Sequence, residues 1–294
     1  MEECRARIWK KAVSWLLTFC LVVTLIPELG YAARGNAQDP GGKQETATTQ
    51  KVIAKTEDST TYSRKDGEKM VVFHGGQVRF RDEKGTLTDY DPELVEIRKG
   101  ETTEEKASLE GYKYRNKTGN EKQYLPKKLS EKTPLLLEKD NRQITLTPTD
   151  EMVKAFDMTG AGVKAEEETI TDLYQQETEK TVDAVYEAAG STHKELSLTY
   201  TSEEHGVKET LTLFQKPETN RFTYRLETGS LLARKNATTE GITIYDEESE
   251  EIVAFLSPPW MNDATGKAYS EKITYDLKEE TSDETGEHTY LLTM

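Results

Sequence analysis

Hydrophobic and polar positions alternate most clearly in KELSLTYTSEEHGVKETLTLF, residues 194–214. Leu196, Leu198 and Tyr200 share one side, Ser202–Gly206 turns the chain, and Leu211 and Leu213 return on the same side. A period of two is the mark of a half-buried strand, so the stretch predicts an antiparallel hairpin with one wet face. TPLLLEKDNRQITLTP, residues 133–148, predicts a second hairpin, with Leu135–Leu137 answered by Ile144 and Leu146 across a Lys-Asp-Asn-Arg turn. In VRFRDEKGTLTDYDPELVEI, residues 78–97, the same logic puts Val78, Phe80, Leu94 and Ile97 inward. Arg79 and Arg81 then face solvent, and Asp82–Gly85 supplies the turn. The meander continues through Phe222, Tyr224 and Leu226, Ile242 and Ile244, Val253 and Phe255, and Ile273, Tyr275 and Leu277. Turn signals recur about every 8–12 residues, the spacing of a sandwich or barrel. The expected fold class is all-β: antiparallel, sandwich-like modules of meander hairpins.

Three intervals break this pattern. Residues 1–11 carry Arg5, Arg7, Lys10 and Lys11, and an apolar run follows at Ala12–Ile26. Pro27 and Gly30 interrupt it, and Gly30 and Ala32 put small residues at −3 and −1 of a cleavage point. Residues 1–32 therefore read as a secretory signal peptide removed after Ala32; the competing reading is a retained membrane anchor. Residues 33–69 are polar and turn-rich, and read as a flexible leader that buries too little apolar surface to offset chain entropy. Residues 149–180, with a capped helical turn at Thr149–Phe156 and an acidic stretch beyond it, read as a connector between a first β half, 70–148, and a second, 181–294.

Composition narrows the partners. The 294 residues are 34% hydrophobic and 32% charged, with a formal net charge of −15. So acidic a chain is ill suited to nucleic acid, which is held mainly by Lys and Arg on phosphates. Both cysteines, Cys4 and Cys20, fall in the signal segment, and Phe19 stands where a lipoprotein signal needs a small residue. The processed chain would carry no disulfide framework and no thiolate chemistry. It would also lack a stable membrane span.

The hairpin at 78–97 and the later segments together resemble the N-terminal region of Gram-positive YD-repeat (RHS-repeat) wall-associated proteins. The similarity runs through TVDAVYE (181–187), ELSLTYTSEEHGVKETLTL (195–213), FTYRLETGSL (222–231), GITIYDEESEEIVAFLSPPWMNDATG (241–266) and KITYDLKE (272–279). It covers roughly 70–294. The family's glycine after the acidic turn is replaced here by Ser249-Glu250, and the repeats and C-terminal toxin are not in the sequence. The resemblance transfers no catalytic residue. It implies a leading module of a longer protein, secreted or cell-wall associated, whose partners are downstream YD-repeat segments, other cell-surface components or cell-wall glycan. The last strand, HTYLLTM at 288–294, is accordingly expected to present a frayed, open edge.

Candidate chemistry is sparse. His74, His193, His205 and His288 lack metal-ligand spacing. The acidic stretches Asp89–Glu93 and Tyr245–Glu251 carry oxygen ligands but not the regular loop of a calcium site. No nucleophile elbow, phosphate loop or dinucleotide fingerprint occurs. Trp260, in SPPWMND (257–263), is the one candidate carbohydrate contact, since an indole offers a flat apolar face. The expected function is a non-catalytic exported scaffold or interaction module with no cofactor and no metal. The alternatives are a cell-wall carbohydrate-binding module and a secreted polysaccharide-active enzyme whose paired carboxylates sequence does not reveal.

Overall fold

The computed structural model describes residues 17–25, 51–63, 68–74, 76–82, 84–158, 161–171, 177–187, 196–265, 267–282 and 286–294. Strand β1 (Leu17–Leu25) precedes a small sheet of β2 (Lys51–Lys55), β3 (Ser59–Ser63) and β4 (Lys69–Phe73). The hairpin β5 (Arg79–Arg81) with β6 (Leu87–Asp89) follows. Next come β7 (Asp91–Glu96), β8 (Tyr112–Thr118), β9 (Lys122–Pro126), β10 (Leu135–Lys139), β11 (Arg142–Pro148) and helix α1 (Asp150–Ala155). Two longer hairpins are β12 (Gly162–Thr171) with β13 (Glu177–Glu187), and β14 (Leu196–Glu203) with β15 (Gly206–Leu213). The chain continues through β16 (Thr223–Gly229), β17 (Leu232–Lys235), β18 (Ile242–Tyr245) and β19 (Ile252–Leu256). It then forms β20 (Trp260–Asn262), β21 (Tyr269–Ser270), β22 (Asp276–Ser282) and β23 (His288–Thr293).

Two large antiparallel sheets make the body. One runs β12-β13-β14-β15-β1-β19-β18-β17, with β20 pairing β1 and β21 pairing β20. The other runs β22-β23-β16-β11-β10-β9-β8-β7. A single apolar cluster joins them: Leu198, Tyr200, Leu211 and Ile244 from the first pack with Leu125, Leu137, Ile144, Tyr224 and Leu292 from the second. The all-β, sandwich-like expectation is met. Leu196, Leu198, Leu211 and Leu213 are buried together as the alternation predicts. The β10–β11 turn is Asp140-Asn141, both at positive φ (51° and 59°), the backbone that a two-residue hairpin loop demands.

Several expectations are corrected. The stretch 33–69 is not simply a flexible leader, because β2, β3 and the first residue of β4 lie within it and Ser59 and Thr60 are buried. Residues 26–50 and 64–67 lie outside the described residues. The segment 149–180 is not a connector either. Thr149 caps α1 by accepting the Met152 N–H at 3.3 Å, and β12 pairs with β13 from Gly162 to Thr171. Lys164, Ala165 and Glu166 are exposed, so this part of the hairpin carries little apolar alternation to betray it. Nor are 70–148 and 181–294 separate halves, since β16 sits between β11 and β23 in one sheet.

Two strand phases also differ. Arg79 is buried and its neighbours Val78 and Phe80 are only half-buried, because the guanidinium is fully engaged by the β2–β3 turn and by Asp89. In β19 the bulge opposite Ile244/Tyr245 shifts the register, so Ala254 and Leu256 are buried with Val253 while Phe255 is not. Finally, β23 is no open edge: it pairs with β22 on one side and β16 on the other.

Leu17–Leu25, most of the apolar run assigned to the signal, is a strand. It pairs antiparallel with β15 from Leu17↔Leu213 to Thr24↔Gly206, and on its other side with β19 and β20. Cys20 lies opposite Thr210 and Trp260; Cys4 and residues 1–16 are outside the described residues. Among the described residues, no helix is long and apolar enough to cross a membrane.

Candidate functional site

Trp260 opens β20, just past the Pro258-Pro259 pair that ends β19. Its ring lies 5.7 Å from that of Tyr269 on β21, tilted by 34°. Trp260 is half-buried, whereas Tyr269 is 59% exposed. The loop between them is tied by Asp263, whose Oδ1 accepts the N–H groups of Lys267 and Ala268 at 3.0 and 3.2 Å. The Thr265 hydroxyl donates to the same carboxylate. These donors, the Ala268 N–H first, hold the Asp263 carboxyl below the usual carboxylate range. The result is a short aromatic ledge at the surface, next to the point where β1 enters the sheet.

The other candidates are occupied by local partners. Asp89 takes Lys55 at 3.0 Å and Arg79 at 2.5 Å, and Asp91 and Glu93 share Lys117 at 2.9 and 2.7 Å. Asp246 accepts the Glu248 and Ser249 N–H groups in a tight turn, and Arg142 of β11 clamps Asp246 and Glu251. His74 Nε2 is 3.2 Å from Thr60 Oγ1, and His288 Nδ1 is 2.8 Å from Glu279. His205 donates to the Gln77 carbonyl at 2.8 Å while its ring meets Tyr90 edge-on. His193 lies outside the described residues. Among the described residues, no three His, Cys, Asp or Glu side chains are grouped to hold a metal ion.

Three buried carboxylates escape a reading by residue type. Glu138 is satisfied: it accepts the Glu104 N–H, the Tyr124 hydroxyl and the Gln143 amide at 3.0, 3.2 and 2.9 Å. Glu121 accepts the Gln123 amide at 3.0 Å, and Gln123 in turn reaches Ser202 and the Glu203 carbonyl across the two sheets. Burial pushes the Glu121 carboxyl up to about 8, against a smaller opposing effect of Gln123 and Lys139. Glu209 of β15 lies in the core with Tyr200 and Tyr224, and burial pushes it up to about 7. The two phenols oppose part of that shift by proximity. None of the four oxygens, however, makes a hydrogen bond of good geometry among the described residues. A signal for Glu209 is present in the sequence, since it has the parity of Leu211 and Leu213.

Two surface features stand out among the described residues. A groove of about 500 Å³ runs between α1 and the 127–133 loop, lined by Lys127, Lys128, Ser130, Asp150 and Lys154 among others. It holds lysines rather than a carboxylate pair. The three-stranded sheet leaves Val52, Ile53, Val71 and Phe73 exposed, Phe73 to 74%. Comparison with known proteins finds no match to any family model, curated protein or solved structure.

Proposed function

We propose that the chain is an exported, non-catalytic β module that works as a scaffold or interaction region at the cell surface, in the manner of the leading region of a YD-repeat-like protein. The observation that carries this reading is where apolar surface is left over. In β2 and β4, large aliphatic and aromatic side chains face water on short strands, and such a patch is characteristic of a contact surface rather than a core. The buried carboxylates support the same reading: among the described residues, Glu121 and Glu138 are held by amides and a phenol and Glu209 lies among core side chains, and none of the three lines the groove beside α1.

Secretion of the full chain from a Gram-positive host tests both parts. The medium should contain a protein beginning at Ala33, and Val71→Ser with Phe73→Ser should lower its retention with the cell envelope without unfolding it. An intact Met1 in the medium sinks cleavage after Ala32. Unchanged envelope retention sinks the interaction surface.

The Trp260–Tyr269 ledge supports a second reading, contact with cell-wall glycan. Replacing both rings with alanine should then abolish pull-down by purified peptidoglycan, and equal pull-down would dismiss this reading.

A further inference from the structure

Strand β1 fills a gap that the rest of the sandwich does not close by itself. It is antiparallel to β15 on one side and to β19 and β20 on the other, so β15 and β19 run parallel, one strand apart. Without β1 the sheet divides into β12–β15, β17–β19 and the β20–β21 hairpin, leaving β15 and β19 each with a row of unpaired backbone groups in the middle of the sheet. The edges thus bared carry the buried residues Val207, Glu209, Leu211 and Leu213 on β15, and Ala254 and Leu256 on β19. Closing the gap needs a slide of about one strand spacing, roughly 4.8 Å. That slide is opposed by ties to the other sheet: Ala233 N–H donates to the Tyr290 hydroxyl at 3.1 Å, and the Tyr275 hydroxyl donates to the Ser257 carbonyl at 2.9 Å.

The sequence of β1 suits the gap in register. Leu17, Phe19, Leu21 and Val23 stand opposite Leu213, Leu211, Glu209 and Val207, the buried positions of β15. Thr18, Cys20, Val22 and Thr24 stand opposite Thr212, Thr210, Lys208 and Gly206. The segment that reads as an apolar export signal also reads as an alternating, uncharged strand. If it is removed after Ala32, its place in the sheet falls vacant.

We propose that the space between β15 and β19 is a strand-acceptor site, which a separate exported polypeptide fills once the leader is cleaved. The donor is an uncharged extended segment of about nine residues with apolar residues at alternate positions, bound antiparallel to β15. Backbone pairing on both sides supplies affinity, and the parity of the apolar positions supplies selection. This rests on the export reading given above, but the site itself is tested independently of it.

The test uses the full chain with a protease recognition sequence placed after Ala32. Once folded and cut, the protein holds β1 as a separate strand, open to exchange. Two labelled peptides are offered: residues 17–25 with Cys20→Ser, and the same composition with its apolar and threonine positions interchanged. The first should enter one-to-one and restore hydrogen-exchange protection to Val207–Leu213 and Ala254–Leu256. The second should bind at least ten-fold more weakly. Unfolding on loss of β1 that the first peptide reverses supports the site, and unfolding that it does not reverse overturns it. Three other results overturn it: protection of β15 and β19 after β1 is lost with no peptide added, equal binding of both peptides, or oligomers of the cut chain that exclude the peptide. The last would make a second copy the occupant. A secreted protein that retains Met1 would defeat leader cleavage after Ala32 while leaving the peptide result standing.

Discussion

Arg79 and Asp89 face each other across the β5–β6 hairpin, with Nε donating to Oδ1 at 2.5 Å. The same guanidinium donates to the carbonyls of Thr56 and Ser59 at 2.9 and 3.0 Å and to the Thr60 hydroxyl at 2.9 Å. Lys55 reaches Asp89 from the small sheet, so the pair fastens β2–β4 to the hairpin.

Arg79→Leu should therefore release the small sheet without unfolding the sandwich. Hydrogen bonds to a charged group contribute about 1.5–3 kcal/mol each, so even partial replacement by water should loosen the sheet by roughly 2 kcal/mol. Exchange at Ser59 and Thr60 should accelerate more than ten-fold while β14 and β15 stay protected. Arg79→Lys should loosen it too, because an ammonium lacks the planar fork that reaches four acceptors. Unchanged exchange in both variants would contradict the fastening role.

The phase of β14 gives a sharper contrast. Leu198 is 1% exposed in the core, and Thr199 beside it is half-buried on the other face. Leu198→Ala should destabilise by about 2–5 kcal/mol, and Thr199→Ala by less than about 1 kcal/mol. Chemical denaturation measures both, and equal losses would contradict the assigned faces.

These residues show what the sequence discloses and what it hides. Leu196, Leu198, Leu211 and Leu213 are legible because a period-two run over one core has a single solution for which face is inward. Arg79 is not, because its burial depends on carbonyls twenty or more positions earlier in the chain, which no local pattern encodes. The hairpin β12–β13 hides because Lys164, Ala165 and Glu166 are exposed, and an outlying ribbon needs no apolar stripe. Leu17–Leu25 is ambiguous in principle: nine apolar and small residues satisfy an export signal and a buried strand alike. Trp260 was visible by type, but its position at the rim of β1 follows only from long-range pairing.

Stability should fall as pH rises from about 5 to about 8. Glu209 and Glu121 are raised in the folded protein to about 7 and about 8, from an ordinary 4.5. Across that window the native state holds protons that the unfolded chain has released, so unfolding becomes easier with rising pH and levels off above it. Asp89 and Asp246 are lowered instead, so their contribution is lost only in acid, below about pH 4. Glu209→Gln should flatten the slope between pH 5 and 7 and raise the melting temperature at pH 8. A melting temperature that climbs from pH 5 to 8 in the parent protein would refute the buried-acid assignment.

The final prediction concerns β23. Tyr290 and Leu292 are 4% and 0% exposed, and the strand has a ladder on each side, to β16 and to β22. Met294 N–H donates to the Phe222 carbonyl at 2.8 Å and its carbonyl accepts the Phe222 N–H at 2.9 Å, so pairing extends past the last strand residue. The Tyr290 hydroxyl accepts the Ala233 N–H and links the two sheets. Amides of Tyr290–Leu292 should exchange as slowly as those of the sandwich centre in a strictly monomeric sample. Leu292→Ala should cost about 2–5 kcal/mol. Tyr290→Phe should cost about 1–3 kcal/mol, because it strips the acceptor from a part-buried amide. Rapid exchange across 290–292 would mean that this strand is frayed after all, and that the ladders on its two sides do not hold it.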